Sequence, residues 1–280
     1  MTDVARAGAL SAGAPDLPGV LVPDWPLPPG VRACVTSRQG GVSLAPFDSF
    51  NLGSHVEDQP HSVAANRQRL ARAIGARPVF LTQVHGSKVQ WLGPDLPDGA
   101  VADAAVTDRV ALACTVLVAD CLPVLVASRC GSRVGAAHAG WRGLAGSGGH
   151  GILEQFIQSF RAPGLDQTGF DASQLIAWLG PCIGPEAFEV GADVRDAFLT
   201  AQPDADRHFR SRPGLPDNKW WADLPGLARD RLRALGVGAV HGNDGSPGWC
   251  TVTQGSRFFS HRRDRTSGRL AACIWRVAGH

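Results

Sequence analysis

Apolar residues recur along this 280-residue chain in short runs that predict buried β-strands separated by helices. Two runs, Val110–Ala119 and Leu122–Ser128, are long and almost continuous, as is typical of strands with both faces covered. Asp120 and Pro123 divide this stretch into strand-length pieces, so it predicts a central hairpin in the core and not a membrane span. A further run, Arg133–Ala137, follows through a Cys-Gly-Ser turn.

The remaining pattern alternates strands with helices. Further strands are predicted at Val31–Ser37, Val79–Val84 paired with Lys88–Leu92, Val101–Thr107, Gln174–Leu179 and Arg269–Trp275. Helices are predicted at Val63–Ile74, from Ile152 to Phe160, at Val190–Leu199, and from a cap at Asp223 to Gly236. Residues 1–30, rich in Ala, Gly and Pro, predict a flexible leader, and residues 31–280 one mixed α and β domain.

Composition excludes several classes of protein. The net charge of +2 and the pI near 8.3 give no sign of a nucleic-acid or membrane partner. The seven cysteines are odd in number, widely spaced and without a Cys-x-x-Cys pair, which argues against a disulfide framework and a zinc ribbon. The N-terminus lacks the apolar core of a signal peptide. We therefore expect a cytoplasmic protein, and a monomer, since no heptad or apolar stripe is visible.

Three residues suited to catalysis or metal binding lie where apolar runs end. Cys121 follows one run directly after Asp120, and His138 follows Arg133–Ala137. His85 follows another run, in Leu-Thr-Gln-Val-His-Gly. One cysteine and two histidines suit a three-ligand zinc site, which lowers the pKa of a bound water to about 7. They equally suit a Cys121 nucleophile activated by His138. Spacing leaves both interpretations open, because each needs these residues close in space.

The histidine pattern disfavours multicopper chemistry. A trinuclear copper cluster uses many histidines, largely as His-x-His pairs, and none of the nine histidines here lies two residues from another. The chain also has one Met to serve as an axial copper ligand. No Walker or Rossmann glycine pattern is present, so a nucleotide cofactor is not indicated.

A series of stretches resembles one family, the YfiH proteins. The stretches are TSRQGGVS (36–43), FNLGSHVEDQP (50–60), NRQRL (66–70), TQVHG (82–86), ADAAVTD (102–108), ADCLPVLV (119–126), AAHAGWRG (136–143), GPCIGPEAFEVG (180–191), ADLPGLARDRL (222–232) and FFSHRRD (258–264). They occur in family order and cover about residues 31–276. The family is also called the laccase-domain or multicopper polyphenol oxidase family and is described as purine nucleoside phosphorylases.

The resemblance implies an α+β fold, a single-domain α/β/β/α sandwich related to the bacterial toxin deamidases that use a Cys-His pair. It places the family's zinc ligands on His85, Cys121 and His138. The implied activities are phosphorolysis of adenosine, inosine and S-methyl-5'-thioadenosine to the free base and the (methylthio)ribose 1-phosphate, and deamination of adenosine to inosine. A bacterial branch is described as an amidase that edits a peptidoglycan precursor.

We therefore hypothesise a zinc-dependent purine nucleoside enzyme that acts on a small-molecule nucleoside and phosphate. Cys121 and His138 lie at its catalytic centre, and Asp103 or Asp120 transfers a proton. Arginine forks bind phosphate bidentately and stabilise its charge. The candidate substrate contacts are Arg38, Arg142 and Arg262 for phosphate, and Asn51 and Gln83 for the sugar or base.

Three alternatives stand beside this hypothesis. They are an amidase acting on a cell-wall precursor through zinc-hydroxide or Cys121, a disfavoured copper-dependent polyphenol oxidase, and a non-enzymatic zinc-binding module. The chain also departs from the family in having His261 for Tyr, Val118 for Thr, and extra glycines at 146–151. These departures affect substrate preference and the pocket entrance, whereas the zinc ligands are intact.

Overall fold

The computed structural model describes residues 16–162, 169–211 and 218–278. The strands are β1 (Val31–Val35), β2 (Arg77–Phe80), β3 (Val89–Trp91), β4 (Ala104–Thr107), β5 (Leu112–Val118), β6 (Leu122–Ser128), β7 (Val134–Ala139), β8 (Leu175–Leu179), β9 (Glu189–Gly191), β10 (Phe209–Arg210), β11 (Lys219–Ala222), β12 (Ala239–Gly242) and β13 (Leu270–Arg276). The α-helices are α1 (Pro60–Ile74), α2 (Trp141–Ala145), α3 (Ile152–Arg161), α4 (Ala192–Leu199), α5 (Leu224–Ala234) and α6 (His261–Asp264). Within these ranges no helix is long and apolar enough to cross a membrane.

Two mixed sheets form the centre of the domain. One has six strands in the order β12-β8-β6-β7-β4-β3, and the other has four in the order β1-β13-β5-β2. Every residue of β5, β6 and β7 is buried, as their apolar runs predict. A third, smaller sheet has the order β10-β11-β9.

Successive side chains of the central strands enter different cores. On β5, Val116 packs between the two large sheets, whereas Leu117 packs on the side covered by α1. On β6, Leu125 packs between the sheets, whereas Val124 joins the core under α3 and α5. This two-residue period gives the layer order helix, sheet, sheet, helix in one mixed α/β domain. The predicted likeness to toxin deamidases stays a prediction.

The predicted pairing of the two central runs is wrong. β5 pairs with β13 and β2, whereas β6 pairs with β7 and β8 in the other sheet. The chain changes sheets at residues 119–121, where Asp120 has a φ of 92°. An apolar run predicts burial but not the partner strand, because both layers of the sandwich need the same pattern. Cys121 therefore lies at a step between the layers.

A second predicted pair, Val79–Val84 with Lys88–Leu92, is wrong for the same reason. β2 pairs with β5 in the four-stranded sheet, and β3 pairs with β4 in the six-stranded sheet. The connection between them contains His85, whose φ is 60°. Two of the three candidate ligands thus lie where the chain crosses from one sheet to the other.

Several local predictions are confirmed in position. The helix predicted at Val63–Ile74 is α1, which begins at Pro60 and ends before Gly75. Asp223 caps α5, its carboxylate accepting from the Gly226 N–H at 3.0 Å. The segment FFSHRRD, however, is not only a loop or strand end, because residues 261–264 form the short helix α6.

The N-terminal segment is only partly described. Residues 1–15 of the predicted flexible leader lie outside the described residues. Leu17 and Trp25 are buried, and Leu21 forms a β-bridge with Val35. These apolar anchors extend the packed domain into the segment predicted as a leader, because burying them offsets the entropy of ordering the chain.

We expect the free energy of unfolding to fall as the pH rises above about 6.5 through titration of His208. This residue ends a 3₁₀ turn and contacts Asp223 and Asp230. Burial lowers the pKa of His208, but the hydrogen bonds and charges of the two carboxylates raise it more, so its net pKa lies above 6.5. A raised pKa stabilises the fold below the unfolded value, and this stabilisation is lost as the pH rises through the folded value.

Urea denaturation at about pH 6 and about pH 9 checks this expectation. His208→Gln should show a smaller fall in unfolding free energy between the two conditions than the parent protein. His61→Gln, on the exposed face of α1, is the matched control and should keep the full fall. Equal pH dependence in His208→Gln and the parent would show that this histidine does not contribute.

Candidate metal centre and active-site cavity

A cavity of about 490 Å³ opens beside the two crossing points between the sheets. Its wall includes His85 from the first crossing and Cys121 from the second, together with His138 from β7. Small-molecule sites in proteins typically measure about 300–1,000 Å³. The cavity is therefore large enough for a small organic ligand next to these three residues.

His85, Cys121 and His138 form a compact cluster, as the sequence predicts. Their ligand atoms all lie within 4.8 Å of one another. Cys121 Sγ lies 3.7 Å from His85 Nε2, and the two imidazole rings meet edge to face with centroids 4.8 Å apart. In the described part of the chain, this is the one group of three or more His, Cys, Asp or Glu side chains placed to share a metal ion. The donor set of one thiolate and two imidazoles fits such an ion.

Asp103 is fully buried and holds the cluster in place. Its Oδ1 accepts from His138 Nδ1 at 2.9 Å and from the His85 N–H at 2.9 Å. Its Oδ2 accepts from the N–H groups of Gly86 at 2.8 Å and Val84 at 3.2 Å. Because Nδ1 of His138 is engaged, Nε2 is the nitrogen left to bind a metal. Asp103 thus positions the cluster, and its predicted role in proton transfer stays a prediction.

The cluster strongly shifts the ionisation of two of its members. Burial raises the pKa of the Cys121 thiol, but the charge of His138 and hydrogen bonds from both histidines lower it more, to about 6. Burial lowers the pKa of His138, but Cys121 and Asp103 raise it to about 9. These shifts favour the thiolate form of Cys121 and the imidazolium form of His138 at neutral pH. A thiolate is the form of cysteine that binds metals and attacks electrophiles.

Asp120 lines the cavity, but both of its carboxylate oxygens are engaged. Oδ1 accepts from Thr251 Oγ1 and Oδ2 from the Arg262 N–H, each at 2.6 Å. Its backbone carbonyl accepts from the Ile183 N–H at 2.9 Å. Asp120 ties two loops and the first turn of α6 to the crossing point that precedes Cys121. Its predicted role as a proton-transfer group stays a prediction.

Two predicted substrate contacts do not line the cavity. Arg38 pairs with Asp48 at 3.2 Å and donates to the Gly255 carbonyl at 3.0 Å. Asn51 is fully buried, and its amide donates to Asp58 at 2.9 Å. Both side chains are bonded within the protein and lie outside this cavity, and their contact with a substrate stays a prediction.

Three other predicted contacts do line the cavity, namely Gln83, Arg142 and Arg262. The Gln83 side-chain amide donates to the Leu117 carbonyl at 2.8 Å and accepts from the Leu117 N–H at 2.7 Å. The Arg262 guanidinium donates to backbone carbonyls at 3.2 Å and longer. Arg142 is exposed and stacks over the Trp141 ring, 4.4 Å from its centroid. Their contact with a substrate stays a prediction.

Further lining residues were not predicted from the sequence. His55 lies in the resembling stretch 50–60, Arg265 follows FFSHRRD directly, and Arg269 lies four positions further on, so neighbouring motifs were the available signal. The apolar part of the wall includes Ile183, Phe188 and Leu224, together with Trp141 of the resembling stretch AAHAGWRG (136–143). These residues come from separate loops and helices, and only the fold brings them together.

If the cluster binds a metal such as zinc, we expect Gly140→Ala to weaken that binding by about 10–100-fold, the range for changes next to metal ligands. A Cβ at Gly140 would lie 2.7 Å from His85 Cδ2 and 3.1 Å from Cys121 Sγ, so these groups must move apart. Competition with a chelator measures the zinc Kd. Gly93→Ala, whose Cβ meets nothing within 4 Å, is the control. Parent-like zinc affinity in Gly140→Ala would contradict the close packing of this centre.

The fold and the cluster define a mixed α/β protein with a candidate metal centre between two sheets. This chain belongs to the multi-copper polyphenol oxidoreductase laccase family, whose family model matches residues 32–277. The YfiH proteins belong to the same group of relatives, so the resemblance seen in the sequence is confirmed.

Curated relatives match almost end to end. The chain is 48% identical over 255 residues to "Purine nucleoside phosphorylase PA4543" of Pseudomonas aeruginosa, covering 91% of this chain and 97% of the relative. It is 44% identical over 260 residues to "Purine nucleoside phosphorylase YfiH" of Escherichia coli, covering 92% and 99%. The crystal structure of Neisseria meningitidis protein NMB0706 matches with a TM-score of 0.83 and 42% identity, over 93% of this chain and 100% of that one.

Proposed function

We propose that this protein is a zinc-dependent purine nucleoside phosphorylase that also deaminates adenosine to inosine. Its substrates are adenosine, inosine and S-methyl-5'-thioadenosine, which phosphate cleaves to the free base and the (methylthio)ribose 1-phosphate. The names of relatives that are 48% and 44% identical, both purine nucleoside phosphorylases, support phosphorylase activity. The specific substrates, the deamination and the metal belong to the proposal.

The observation that carries the proposal is the composition of the cavity wall. One part is apolar and aromatic, with Trp141 and Phe188, and suits a flat base. Another part is basic, with Arg142, Arg265 and Arg269. A nucleoside and a phosphate need these two environments side by side, next to the His-Cys-His cluster.

The cluster supports zinc as the metal. Zn–S distances of about 2.3 Å and Zn–N distances of about 2.0–2.1 Å place tetrahedral ligand atoms roughly 3.5 Å apart. The 3.7 Å between Cys121 Sγ and His85 Nε2 agrees with this spacing. His85, Cys121 and His138 would hold the ion, and when bound it supplies a Lewis acid beside the substrate. The family's printed name suggests copper, but one cluster of three ligands in the described residues lacks the histidines of a multicopper site.

The residues of the chain have distinct parts in phosphorolysis. An oxygen of HPO₄²⁻ attacks C1′ of the sugar, the C1′–N9 bond breaks, and its electron pair goes to the base, which takes up the phosphate proton. The basic wall holds the phosphate and balances its charge. The apolar wall holds the base and excludes water, so that phosphate and not water reaches C1′. Asp103 keeps His138 in one orientation throughout.

One observation favours a second candidate function. The Cys121 thiolate beside the His138 imidazolium is also the arrangement of a cysteine nucleophile. This pair supports the alternative of an amidase acting on a cell-wall precursor, and it is the feature behind the predicted likeness to toxin deamidases. Such an enzyme would release an amino acid and leave adenosine intact.

Incubating adenosine with and without phosphate, with products resolved by chromatography, tests the proposal. Phosphorolysis predicts adenine together with ribose 1-phosphate, and only when phosphate is present. Deamination predicts inosine whether or not phosphate is added. Zinc-loaded protein that leaves adenosine unchanged but releases an amino acid from a nucleotide-linked sugar would reject the phosphorylase in favour of the amidase.

A further inference from the structure

We propose that Arg265 and Arg269, together with His55, form the site that binds inorganic phosphate beside the His-Cys-His cluster. This proposal rests on the proposed phosphorolysis and specifies where its second substrate binds. It replaces Arg38, which the sequence suggested and which lies outside the cavity.

The charge balance of the cavity calls for an anion. Its wall contains four arginines, Arg142, Arg262, Arg265 and Arg269. The one carboxylate on the wall is Asp120, whose two oxygens already accept hydrogen bonds. A cavity lined by one sign of charge concentrates ions of the opposite sign. A doubly charged phosphate would balance this excess of positive charge.

The arginines differ in how many of their guanidinium N–H donors lack a protein acceptor. Both terminal nitrogens of Arg262 donate to a backbone carbonyl, that of Glu189. Arg269 uses only Nη1, on Ser267 and Gly268, and in the described residues its Nε and Nη2 have no protein acceptor. The Arg265 side chain has no hydrogen bond or ion pair with any described residue, although it lines the cavity. Arg265 and Arg269 therefore present the free guanidinium edges that bidentate phosphate binding uses.

The backbone at Arg265 supports a ligand-binding role. Arg265 has φ 63° and ψ −65°, and the Thr266 N–H donates to the Asp264 carbonyl at 2.7 Å. This is a γ-turn with positive φ, a rare and strained conformation for a residue other than glycine. Such strain is typically found where a side chain is held for a ligand. The turn starts the segment that leads through Arg269 into β13.

The cavity places this group beside the candidate metal centre, because His55, Arg265 and Arg269 line the same wall as the His-Cys-His cluster. Burial lowers the pKa of Arg269, whereas the charges of Cys121 and Asp120 raise it. Burial lowers the pKa of His55, and the charges of Arg269, Arg67 and His138 lower it further. His55 and Arg269 therefore lie within electrostatic range of the cluster, and a phosphate between them would lie close to a sugar bound beside it.

Isothermal titration of inorganic phosphate into the zinc-loaded full-length protein tests the site directly. Arg265→Gln should raise the phosphate Kd roughly tenfold or more, the loss expected for a charge-assisted hydrogen bond. The same variant should raise the KM for phosphate by a similar factor, while the KM for adenosine and the zinc content stay within about twofold. Arg269→Lys keeps the charge but loses the fork, and should also weaken phosphate binding.

Arg257→Gln is the matched control, because Arg257 stacks on Phe258 away from the cavity wall. It removes the same charge eight positions before Arg265 and should leave the phosphate Kd unchanged. Parent-like phosphate affinity in both Arg265→Gln and Arg269→Lys would overturn the proposal. So would a loss of affinity for adenosine 5′-monophosphate with unchanged affinity for inorganic phosphate, because the site would then bind a phosphate ester.

The two proposals fail in different ways. If the parent protein cleaves no adenosine with phosphate, the proposed function fails, but the comparison of phosphate Kd values still decides the site. If the parent protein cleaves adenosine and neither variant changes the KM or Kd for phosphate, only the phosphate site fails.

Discussion

Cys121→Ala is expected to lose the bound zinc and to lower kcat/KM for phosphate-dependent cleavage of adenosine by at least about 100-fold, the upper end of what loss of an outer-shell partner costs. Cys121 Sγ lies 3.7 Å from His85 Nε2, and it is the one sulfur in the cluster. Two imidazoles would remain, and a catalytic zinc site usually needs three protein ligands. Metal analysis and steady-state kinetics on the same purified sample measure both losses.

Cys130→Ala is the control, because Cys130 is an exposed free cysteine in the turn after β6. It should keep the zinc and the rate. Cys121→Ala with parent-like zinc and rate would contradict the metal centre. A variant that keeps its zinc but loses activity would instead identify Cys121 as a nucleophile, as the amidase alternative requires.

Asp103→Asn is expected to weaken zinc binding by about 10–100-fold and to lower the rate with it. The Asp103 carboxylate accepts from His138 and from three consecutive backbone N–H groups, residues 84–86. An amide has one accepting oxygen, so at least one N–H group of the His85 loop or His138 Nδ1 would face an NH₂ group. A buried donor left without a partner costs about 1–3 kcal/mol. Chelator competition and denaturant unfolding measure the two effects.

The zinc affinity distinguishes positioning from proton transfer. A residue that only transferred a proton would change the pH–rate profile and leave the zinc Kd unchanged. Asp95→Asn, at an exposed position, removes the same charge and should be neutral in both measurements. An unchanged zinc Kd in Asp103→Asn would return Asp103 to its sequence-predicted role.

The strands could be predicted from the sequence, but their neighbours could not. The continuous apolar runs of β5 and β6 identify two fully buried strands, and both lie where predicted. They belong to different sheets, because burial on both faces is common to every layer of the sandwich. The pairing is set by the connection, and the positive φ of Asp120 that turns the chain is not visible in the apolar pattern.

The cluster was predictable because each ligand follows a strand-like run. His85, Cys121 and His138 end such runs, and strand ends converge in a sandwich. The network that fixes them was less visible. Asp103 looks like any acidic residue in a short strand, and only the fold shows that its carboxylate joins His138 to the His85 loop.

Two of the arginines on the cavity wall could not be predicted from local sequence motifs. Arg38 lies in a Gly-rich polar loop, the expected setting for a phosphate site, yet it pairs with Asp48. Arg265 and Arg269 lie in no recognised motif and face the cavity. A polar loop has the same composition whether it binds a ligand or its own backbone, so the distinction depends on which donors the fold leaves free.

Metal analysis of the purified protein, followed on the same sample by adenosine turnover with and without phosphate, shows whether the protein is a zinc-dependent phosphorylase. We predict about one zinc per chain and one ribose 1-phosphate formed for each adenine released, with no adenine formed when phosphate is omitted. Protein that binds zinc but forms no ribose 1-phosphate, or that releases adenine equally well without phosphate, would contradict a zinc-dependent nucleoside phosphorylase.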